Sequence, residues 1–259
     1  MLHLRNVKKS FGGVVATNDV TLDFPSGSLS AVIGPNGAGK TTLFNLITGH
    51  LVPDSGEIEL SGEELVGRSP REIVHKGVGR AFQVASIFPS FTVADAMMGS
   101  VASHQETSEK LFTAFPPPAV KRRAEELIDL LGLDAVADRK CANISHGDQK
   151  LLDIGLALAL EPRVLLLDEP TAGMGPEERW QMIRTVHRLW TEGHMTLVFI
   201  EHDMDIVFEV AETIHVLRYG AVIASGDADH IRGHPEVIEA YLGEDHSAPA
   251  PAPAEEVAP

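Results

Sequence analysis

A glycine-rich segment near the N-terminus has the residue types and spacing of a loop that binds phosphate groups. Residues 34–41 read Gly-Pro-Asn-Gly-Ala-Gly-Lys-Thr and fit the pattern G-x-x-x-x-G-K-[ST]. Glycines let the backbone curl until several N–H groups face one anion, and the start of a following helix adds positive potential there. Lys40 is expected to reach the β- and γ-phosphates of a nucleotide, and Thr41 to place its hydroxyl on Mg²⁺. The candidate nucleotide contacts in this phosphate loop are Gly34, Pro35, Asn36, Gly37, Ala38, Gly39, Lys40, Thr41 and Thr42.

Two adjacent carboxylates follow an apolar run later in the chain. Residues 164–167 are typical of a buried parallel strand, and Asp168 and Glu169 come directly after them. Side chains at the carboxyl end of such a strand face the ligand crevice. We expect Asp168 to hold Mg²⁺ through water and Glu169 to be the general base that orients an attacking water. A strand that merely ends in solvated acids is the alternative, and the phosphate loop makes it the weaker one.

The elements around these residues have the pattern of an α/β fold. Residues 29–33 form an apolar run that enters the phosphate loop, and a helix is predicted over residues 41–48 with Gly49 as its stop. The apolar runs 164–167 and 195–200 flank a predicted helix over residues 177–189. Strand, helix and strand at this spacing indicate a βαβ unit in a parallel sheet.

Other segments favour antiparallel pairing. Residues 20–24 and 57–61 alternate apolar and polar side chains, which predicts half-exposed strands. Residues 213–217 and 221–224 flank Tyr219-Gly220 and are expected to form a hairpin.

The middle of the chain favours helices, and the C-terminal tail favours neither helix nor strand. Residues 84–160 are interpreted as a helical subdomain inserted into a domain that spans residues 1–245. Residues 246–259 alternate Ala and Pro, so an extended, disordered tail is expected. One helix, starting at Pro116–Pro118 and ending at Gly132, is predicted to bury a single face made of Val120, Ala124, Leu127, Ile128 and Leu131.

Composition narrows the class of protein. The 259 residues carry a formal net charge of −16, which argues against a nucleic-acid-binding protein, because such proteins present a basic face. Cys141 is the one cysteine, so no internal disulfide forms and a reducing compartment is favoured. The N-terminus lacks the build of a signal peptide, and no run approaches the roughly eighteen apolar residues of a membrane span. We therefore expect a soluble chain that reaches a membrane through a partner.

Five further segments resemble the ABC ATPase family, in the order found there and across nearly the whole chain. Gln83 resembles the glutamine of the Q-loop, and residues 144–149, Ile-Ser-His-Gly-Asp-Gln, resemble the signature LSGGQ. Residues 172–175 stand where the D-loop belongs, His202 resembles the switch histidine, and Phe11 falls where an aromatic ring stacks on adenine. Each signal alone is weak, since a loop Gln, a structural His or a core Phe is common. Their shared order favours the family.

The resemblance implies a fold, ligands and an assembly. The fold would be an α/β P-loop NTPase of the ABC ATPase type, with a mainly parallel core sheet, an antiparallel β subdomain and an inserted α-helical subdomain. ATP and Mg²⁺ would be the ligands, Gln83 would touch Mg²⁺ and the membrane subunit, and Glu169 and His202 would be catalytic. Ser145 and Gly147 would face the γ-phosphate bound on a second ATPase subunit, in a homodimer or heterodimer.

Three residues depart from the family pattern. His146 replaces a glycine of the signature, Asp148 replaces its glutamine, and Gly175 replaces the usual Asp or Asn of the D-loop. Asp148 puts a carboxylate near the expected phosphate, so weak dimerisation or a modest rate of hydrolysis is anticipated. Ser145 and Asp148 also fit a helix capping box, which is compatible with the family role.

Within the family, residues 11–13, 79–83 and 171–174 resemble ATPases that import branched-chain and other hydrophobic amino acids, with urea and amide importers as near relatives. The resemblance implies integral-membrane permeases, a periplasmic solute-binding protein acting indirectly, and a location on the cytoplasmic face of the inner membrane. A lipopolysaccharide-export ATPase, a soluble ABC ATPase without a transport role and a small-molecule P-loop kinase are the alternatives. The kinase does not account for the signature or for His202.

An aromatic segment follows Gln83. Phe88 and Phe91 flank Pro89, which disfavours a continuous helix. Either both rings belong to the core of the helical subdomain, or Phe88 lines an apolar groove that receives a permease helix.

Overall fold

Two β-sheets and the helices that cover them make up the part of the chain described by the computed structural model, which is residues 1–81, 88–104 and 116–242. No helix within these three stretches is long and apolar enough to cross a membrane. The strands are β1 (Leu2–Phe11), β2 (Val14–Phe24), β3 (Leu29–Ile33), β4 (Ser55–Leu60), β5 (Glu63–Glu64), β6 (Val78–Ala81), β7 (Val164–Asp168), β8 (Thr196–Ile200), β9 (Thr213–Arg218) and β10 (Ala221–Gly226). The helices are α1 (Lys40–Ile47), α2 (Pro70–His75), α3 (Val93–His104), α4 (Pro118–Leu131), α5 (His146–Leu158), α6 (Pro176–Gly193), α7 (Met204–Val210), α8 (Ala228–Arg232) and α9 (Pro235–Leu242).

The larger sheet is mainly parallel, as predicted. Its order is β10-β9-β3-β8-β7-β6, and every neighbouring pair is parallel except the edge pair β9 and β10. The predicted unit β7-α6-β8 is confirmed, with Val164 paired to Thr196. The predicted hairpin is confirmed too: Tyr219 and Gly220 both have positive φ, 50° and 78°, which suits a tight turn between β9 and β10.

Two apolar cores lie on the two faces of this sheet. Along β7, Leu165 and Leu167 enter one core, whereas Val164 and Leu166 enter the other. Successive side chains of a strand point to opposite faces, so a strand buried on both faces reads as an unbroken apolar run. This is why β7 and β8 were recognisable from composition.

The smaller sheet is antiparallel, in the order β2-β1-β4-β5. The strands predicted at residues 20–24 and 57–61 lie within or largely within β2 and β4. β1 was not predicted, because a register shift between Leu4 and Val7 breaks its alternation. Asn6 sits in that shift with φ of 51°.

Helices α3, α4 and α5 pack on one another and bear out the helical character of the middle of the chain. α4 buries the predicted face and ends with Gly132 in the left-handed region, at φ of 70°. Gly155 of α5 permits this packing, since a Cβ there would lie 2.5 Å from both Leu131 Cδ1 and Met97 Cε. The boundary placed at residue 84 and the tail at residues 246–259 fall outside the described residues.

Candidate functional site

The phosphate loop is held in a shape that requires glycine. Gly34 has φ of 148°, and a Cβ at this position would stand 2.1 Å from the carbonyl oxygen of Leu217. Gly39 has φ of 102°, and its Cβ would stand 2.2 Å from the carbonyl oxygen of Ala16. Both glycines therefore let backbone from β2 and β9 press against the loop.

Lys40 begins α1, one residue earlier than predicted, and its ammonium folds back over the loop. Lys40 Nζ donates to the carbonyl oxygens of Gly34 and Pro35 at 2.6 and 2.9 Å. Thr41, in the first turn of α1, is exposed. Among the other predicted loop contacts, Asn36 and Gly37 are exposed, Thr42 is partly buried and Ala38 is buried.

Three strand ends bring the candidate residues to one edge of the parallel sheet. Val32 of β3 pairs with Ile200 of β8, and Ile200 pairs with Asp168 of β7. The phosphate loop, His202 and Glu169 each follow one of these paired residues. Parallel strands share a carboxyl edge, so the structure places these groups side by side.

Glu169 and His202 are in direct contact. His202 Nε2 and Glu169 Oε1 are 2.7 Å apart, with 44% and 29% of the respective side chains exposed. Glu169 has φ of 49°, an unfavourable value for a residue with a side chain. Its backbone is held there because its N–H donates to Ile200 O at 3.0 Å and its carbonyl accepts from Lys150 Nζ at 2.7 Å.

Lys150 was not predicted to take part in the site. It lies buried on α5 and also donates to Pro170 O at 3.1 Å. Burial lowers the pKa of its ammonium group. Its position just after the segment that resembles the signature, on a helix with an apolar face, was the sequence feature that could have indicated it.

Asp168 is paired with Arg80 of β6. Arg80 Nη2 lies 2.7 Å from Asp168 Oδ2, and Arg80 Nη1 donates to Asn45 Oδ1 at 2.7 Å. The side chains of Arg80 and Asp168 are only 8% and 9% exposed. The pair links α1, which carries the phosphate loop, to the end of β7. No local sequence pattern indicated Arg80, because the short strand β6 was itself not predicted.

Glu201 is a second buried carboxylate that sequence reasoning missed. It is 3% exposed, and its Oε1 accepts from the backbone N–H and the hydroxyl of Thr171 at 2.8 and 2.7 Å. Its Oε2 accepts from the N–H of His202 at 3.2 Å. Glu201 thus ties the segment after Glu169 to the segment that carries His202.

Ser145 and Gly147 lie apart from the phosphate loop, at the start of α5. They line a cavity of about 590 Å³ whose walls come mainly from α4, α5 and α6. Ser145 Oγ accepts from the N–H of Asp148 at 3.1 Å, as expected for a helix cap. The other half of the predicted capping box differs, since the Asp148 carboxylate accepts from the Ser145 hydroxyl at 2.8 Å.

The remaining predicted residues differ in how they are placed. Phe11 ends β1 with 46% of its surface exposed, and Lys9 Nζ lies 5.6 Å from its ring centroid. Gln83 lies outside the described residues. Phe88 and Phe91 stack at 5.3 Å and are 39% and 46% exposed, so the interpretation of both as core residues is wrong. Within the described ranges, no group of three or more His, Cys, Asp or Glu side chains is placed to hold a metal ion.

Comparison with protein families gives two matches. The model described as ABC transporter matches residues 17–172. The model described as branched-chain amino acid ATP-binding cassette transporter matches residues 221–247.

Curated relatives are similar along almost the whole chain. The high-affinity branched-chain amino acid transport ATP-binding protein LivG of Escherichia coli is 36% identical over 252 residues, covering 94% of this chain and 98% of LivG. The corresponding protein BraF of Pseudomonas aeruginosa gives the same identity and coverage. The sulfate/thiosulfate import ATP-binding protein CysA of Methylococcus capsulatus is 37% identical over 235 residues, but only 65% of CysA is covered.

Solved structures share the fold. A nucleotide-free ATP-binding cassette from an ABC transporter superposes with a TM-score of 0.82 at 29% identity, covering 93% of this chain and 98% of that one. A cassette in its ADP conformation gives 0.81 at 30% identity, covering 94% and 98%.

Proposed function

The chain belongs to the ATP-binding cassette family of ABC transporters, and from that membership we propose that it hydrolyses ATP to drive an importer of branched-chain or other hydrophobic amino acids. The solute class is proposed because residues 221–247 match the branched-chain transporter model. The chain also aligns with nearly all of LivG and BraF. CysA is as similar in identity, but it is matched over only part of its length.

The phosphate loop fits a nucleotide. Its glycines leave no side chain between the backbone N–H groups and a ligand, and α1 begins directly behind them. Lys40 would exchange the carbonyls of Gly34 and Pro35 for the β- and γ-phosphates. Phe11, exposed at the end of β1, would stack on adenine.

The donor set for Mg²⁺ is made of oxygens, which this ion prefers. Thr41 would supply its hydroxyl and Asp168 its carboxylate, with Gln83 as a third candidate. The ion pair between the Arg80 guanidinium and Asp168 supports a role for this carboxylate in binding positive charge. When bound, Mg²⁺ would neutralise charge on the transferred phosphate.

Glu169 and His202 would form the hydrolytic pair. The Glu169 carboxylate would orient a water molecule and accept its proton as the oxygen attacks phosphorus. His202, 2.7 Å from that carboxylate, would keep it aimed at the water. Lys150 and Glu201 would act as positioning residues, since they hold the backbone on either side of the pair.

A second ATPase subunit, identical or different, would complete the site. Ser145 and Gly147 at the start of α5 would face the phosphates bound on that subunit. One catalytic domain would span residues 1–245, with the helical subdomain at about 84–160 and the tail at 246–259 outside it. Integral-membrane permeases and, through them, a periplasmic solute-binding protein would be the partners, on the cytoplasmic face of the inner membrane.

Reconstitution tests this proposal. The chain is co-expressed with the permeases and binding protein of its own gene neighbourhood, and ATP-dependent uptake of labelled leucine, valine and urea into proteoliposomes is measured. Leucine or valine uptake that disappears in Glu169→Gln supports the proposal. Uptake of urea alone would show that the proposed solute class is wrong. ATPase activity without membrane association or uptake would refute the transport role.

A further inference from the structure

The side chain of Arg80 bridges two elements that meet at the proposed nucleotide site. Its Nη2 atom donates to Asp168 Oδ2, at the end of β7, and its Nη1 atom donates to Asn45 Oδ1, on α1, both at 2.7 Å. Its guanidinium also lies over the ring of Phe44, with 5.7 Å between Cζ and the ring centroid. Only 8% of the Arg80 side chain is exposed. A planar fork that is held on two of its arms and across one face ties α1 firmly to β7.

The helical end of this bridge lies one turn from the hydroxyl proposed for Mg²⁺. Thr41 and Asn45 are four positions apart in α1, so they share one face of the helix. Thr41 is exposed, whereas Asn45 is partly buried, so this face runs from the open phosphate loop into the body of the protein. Because the helix between them is regular, a contact that fixes Asn45 relative to Asp168 fixes Thr41 relative to Asp168 as well.

The strand end of the bridge uses one oxygen of Asp168 and leaves the other. Oδ2 accepts from Arg80, whereas no residue within 1–81, 88–104 and 116–242 donates a hydrogen bond to Oδ1. Mg²⁺ keeps several of its waters and takes only one or two carboxylates from a protein. One oriented oxygen beside a second, anchored one therefore suits an ion that Asp168 holds through water.

We propose that Arg80 is a positioning residue for Mg²⁺, which sets the distance between the Thr41 hydroxyl and the Asp168 carboxylate. This role rests on the proposed function, because Thr41 and Asp168 are the Mg²⁺ ligands proposed there. Mg²⁺ demands near-ideal octahedral geometry, so its affinity is sensitive to the spacing of its ligands. Groups that hydrogen-bond to the ligands of a metal typically change its affinity by about 10- to 100-fold.

The alternative is that Arg80 is only a counter-ion, which occupies Asp168 until Mg²⁺ displaces it. Two contacts favour positioning. Arg80 engages the uncharged side chain of Asn45 as well as Asp168, and a counter-ion has no need of that contact. Arg80 also binds one oxygen of the carboxylate, whereas a bidentate pair would occupy both.

Arg80→Lys and Asn45→Ala test the proposal in the full chain. Arg80→Lys keeps the positive charge but loses the fork that reaches two acceptors, and Asn45→Ala removes one of those acceptors. ADP affinity is measured by calorimetry with Mg²⁺ and with EDTA, because ADP is not hydrolysed during the measurement. Free ADP is the same in every experiment, so a change in the ratio of the two affinities between variants is the change in Mg²⁺ affinity of the bound site.

Each variant is expected to lower this ratio by about 10-fold or more while leaving the affinity in EDTA unchanged. The double variant should lose no more than either single variant, because both changes break the same bridge. Arg122→Lys, an exposed change on α4, is the matched control and should change neither affinity. An unchanged ratio in both single variants, or additive losses in the double variant, would overturn the inference.

Arg80→Gln separates positioning from charge. If Arg80 were only a counter-ion, removing its charge would strengthen Mg²⁺ binding, so a higher ratio in this variant would also overturn the inference, and a lower ratio supports it. Asn45→Ala leaves the ion pair in place and decides the question if the Arg80 variants do not fold. Asp168→Asn tests the proposed ligand itself: an unchanged ratio there would show that the proposed Mg²⁺ site is wrong, and the role of Arg80 would fall with it.

Discussion

His202 Nε2 lies 2.7 Å from Glu169 Oε1, and the two residues reach this distance from the ends of neighbouring parallel strands. Glu169 is held at a φ of 49° by the hydrogen bonds that its backbone N–H donates and its carbonyl oxygen accepts. Such strain persists where the surroundings over-determine it, and it is concentrated at functional sites. The fold itself therefore holds the pair in this arrangement.

Glu169→Gln is expected to retain ATP binding while turnover falls by about 10²- to 10⁴-fold, because the amide keeps the shape but accepts no proton. Steady-state phosphate release and nucleotide binding should be measured on the same preparation. Glu177→Gln, an exposed change on α6, serves as the control. Hydrolysis near the wild-type rate would remove Glu169 from the role of general base.

Lys40→Ala is expected to weaken ATP binding as well as hydrolysis, since Lys40 is the charge aimed at two phosphates. The loss of ATP binding distinguishes Lys40→Ala from Glu169→Gln, which is expected to retain binding. In the variant the carbonyls of Gly34 and Pro35 also lose their donor. Unchanged affinity by calorimetry would contradict the assignment.

Asp148→Gln is expected to tighten ATP-driven dimerisation. The carboxylate stands in the first turn of α5, where a partner's phosphate would dock, and it also engages the Ser145 hydroxyl. Replacing it removes a like-charge repulsion. Sedimentation in the Glu169→Gln background measures the effect without hydrolysis. Equal or weaker dimers would mean that Asp148 serves mainly as part of the helix cap.

Phe88→Ser is expected to leave the isolated chain folded and able to bind ATP, because 39% of the side chain is already exposed. The same change should weaken permease binding and uncouple ATPase activity from solute, since Phe88 lines a groove between α3 and α5. Phe91→Ser is the control, because this ring is 46% exposed and lies outside the groove wall. A large fall in Tm, or normal transport by a stable variant, would contradict this role.

His215→Asn is expected to remove a contribution to stability that decreases as the pH falls from about 6.5 to 4. Burial lowers the pKa of His215 to about 4, so between pH 4 and about 6.5 the unfolded chain binds a proton that the folded chain does not. As the pH decreases from about 6.5 to 4, the contribution of this group to the free energy of unfolding therefore decreases by up to about 3 kcal/mol. Denaturant unfolding from pH 7 to 4 measures it, with His75→Asn as an exposed control.

Asp153 acts with the opposite sign over the same range. Burial raises its pKa to about 7, which means that the folded chain keeps a proton that the unfolded chain releases, so stability falls as pH rises from about 4 to 7. In Asp153→Asn the stability should therefore decrease more steeply as the pH falls toward 4, because the contribution of His215 is no longer offset. The same pH slope in wild type and variant would contradict this account.

Local chemistry made the fold class and the placement of most candidate site residues predictable. The phosphate loop depends on glycine conformations and on a following helix, and the pair Asp168 and Glu169 ends an apolar strand; both are features of contiguous residues. The bounds of α4 followed from one apolar face and a terminal glycine.

Contacts between distant residues were not predictable in this way. Arg80 and Asp168 are 88 positions apart, and Thr171 and Glu201 are 30 apart, so no local pattern links them. β6 was missed because it is short and contains both Gly79 and Arg80. β1 was missed because its irregular register moves Val7 out of the alternation that Leu2 and Leu4 begin.

The backbone that packs on Gly34 and Gly39 determines when, during synthesis, the phosphate loop gains its supporting contacts. Leu217 and Gly220 leave the ribosome long after the phosphate loop, yet Leu217 O packs on Gly34 and the Gly220 N–H donates to Ala38 O at 3.0 Å. A nascent chain that ends before β9 therefore contains the whole motif and Ala16, but it lacks the backbone that packs on Gly34. Contacts between such distant segments form slowly, so this part of the loop's support is completed late in synthesis.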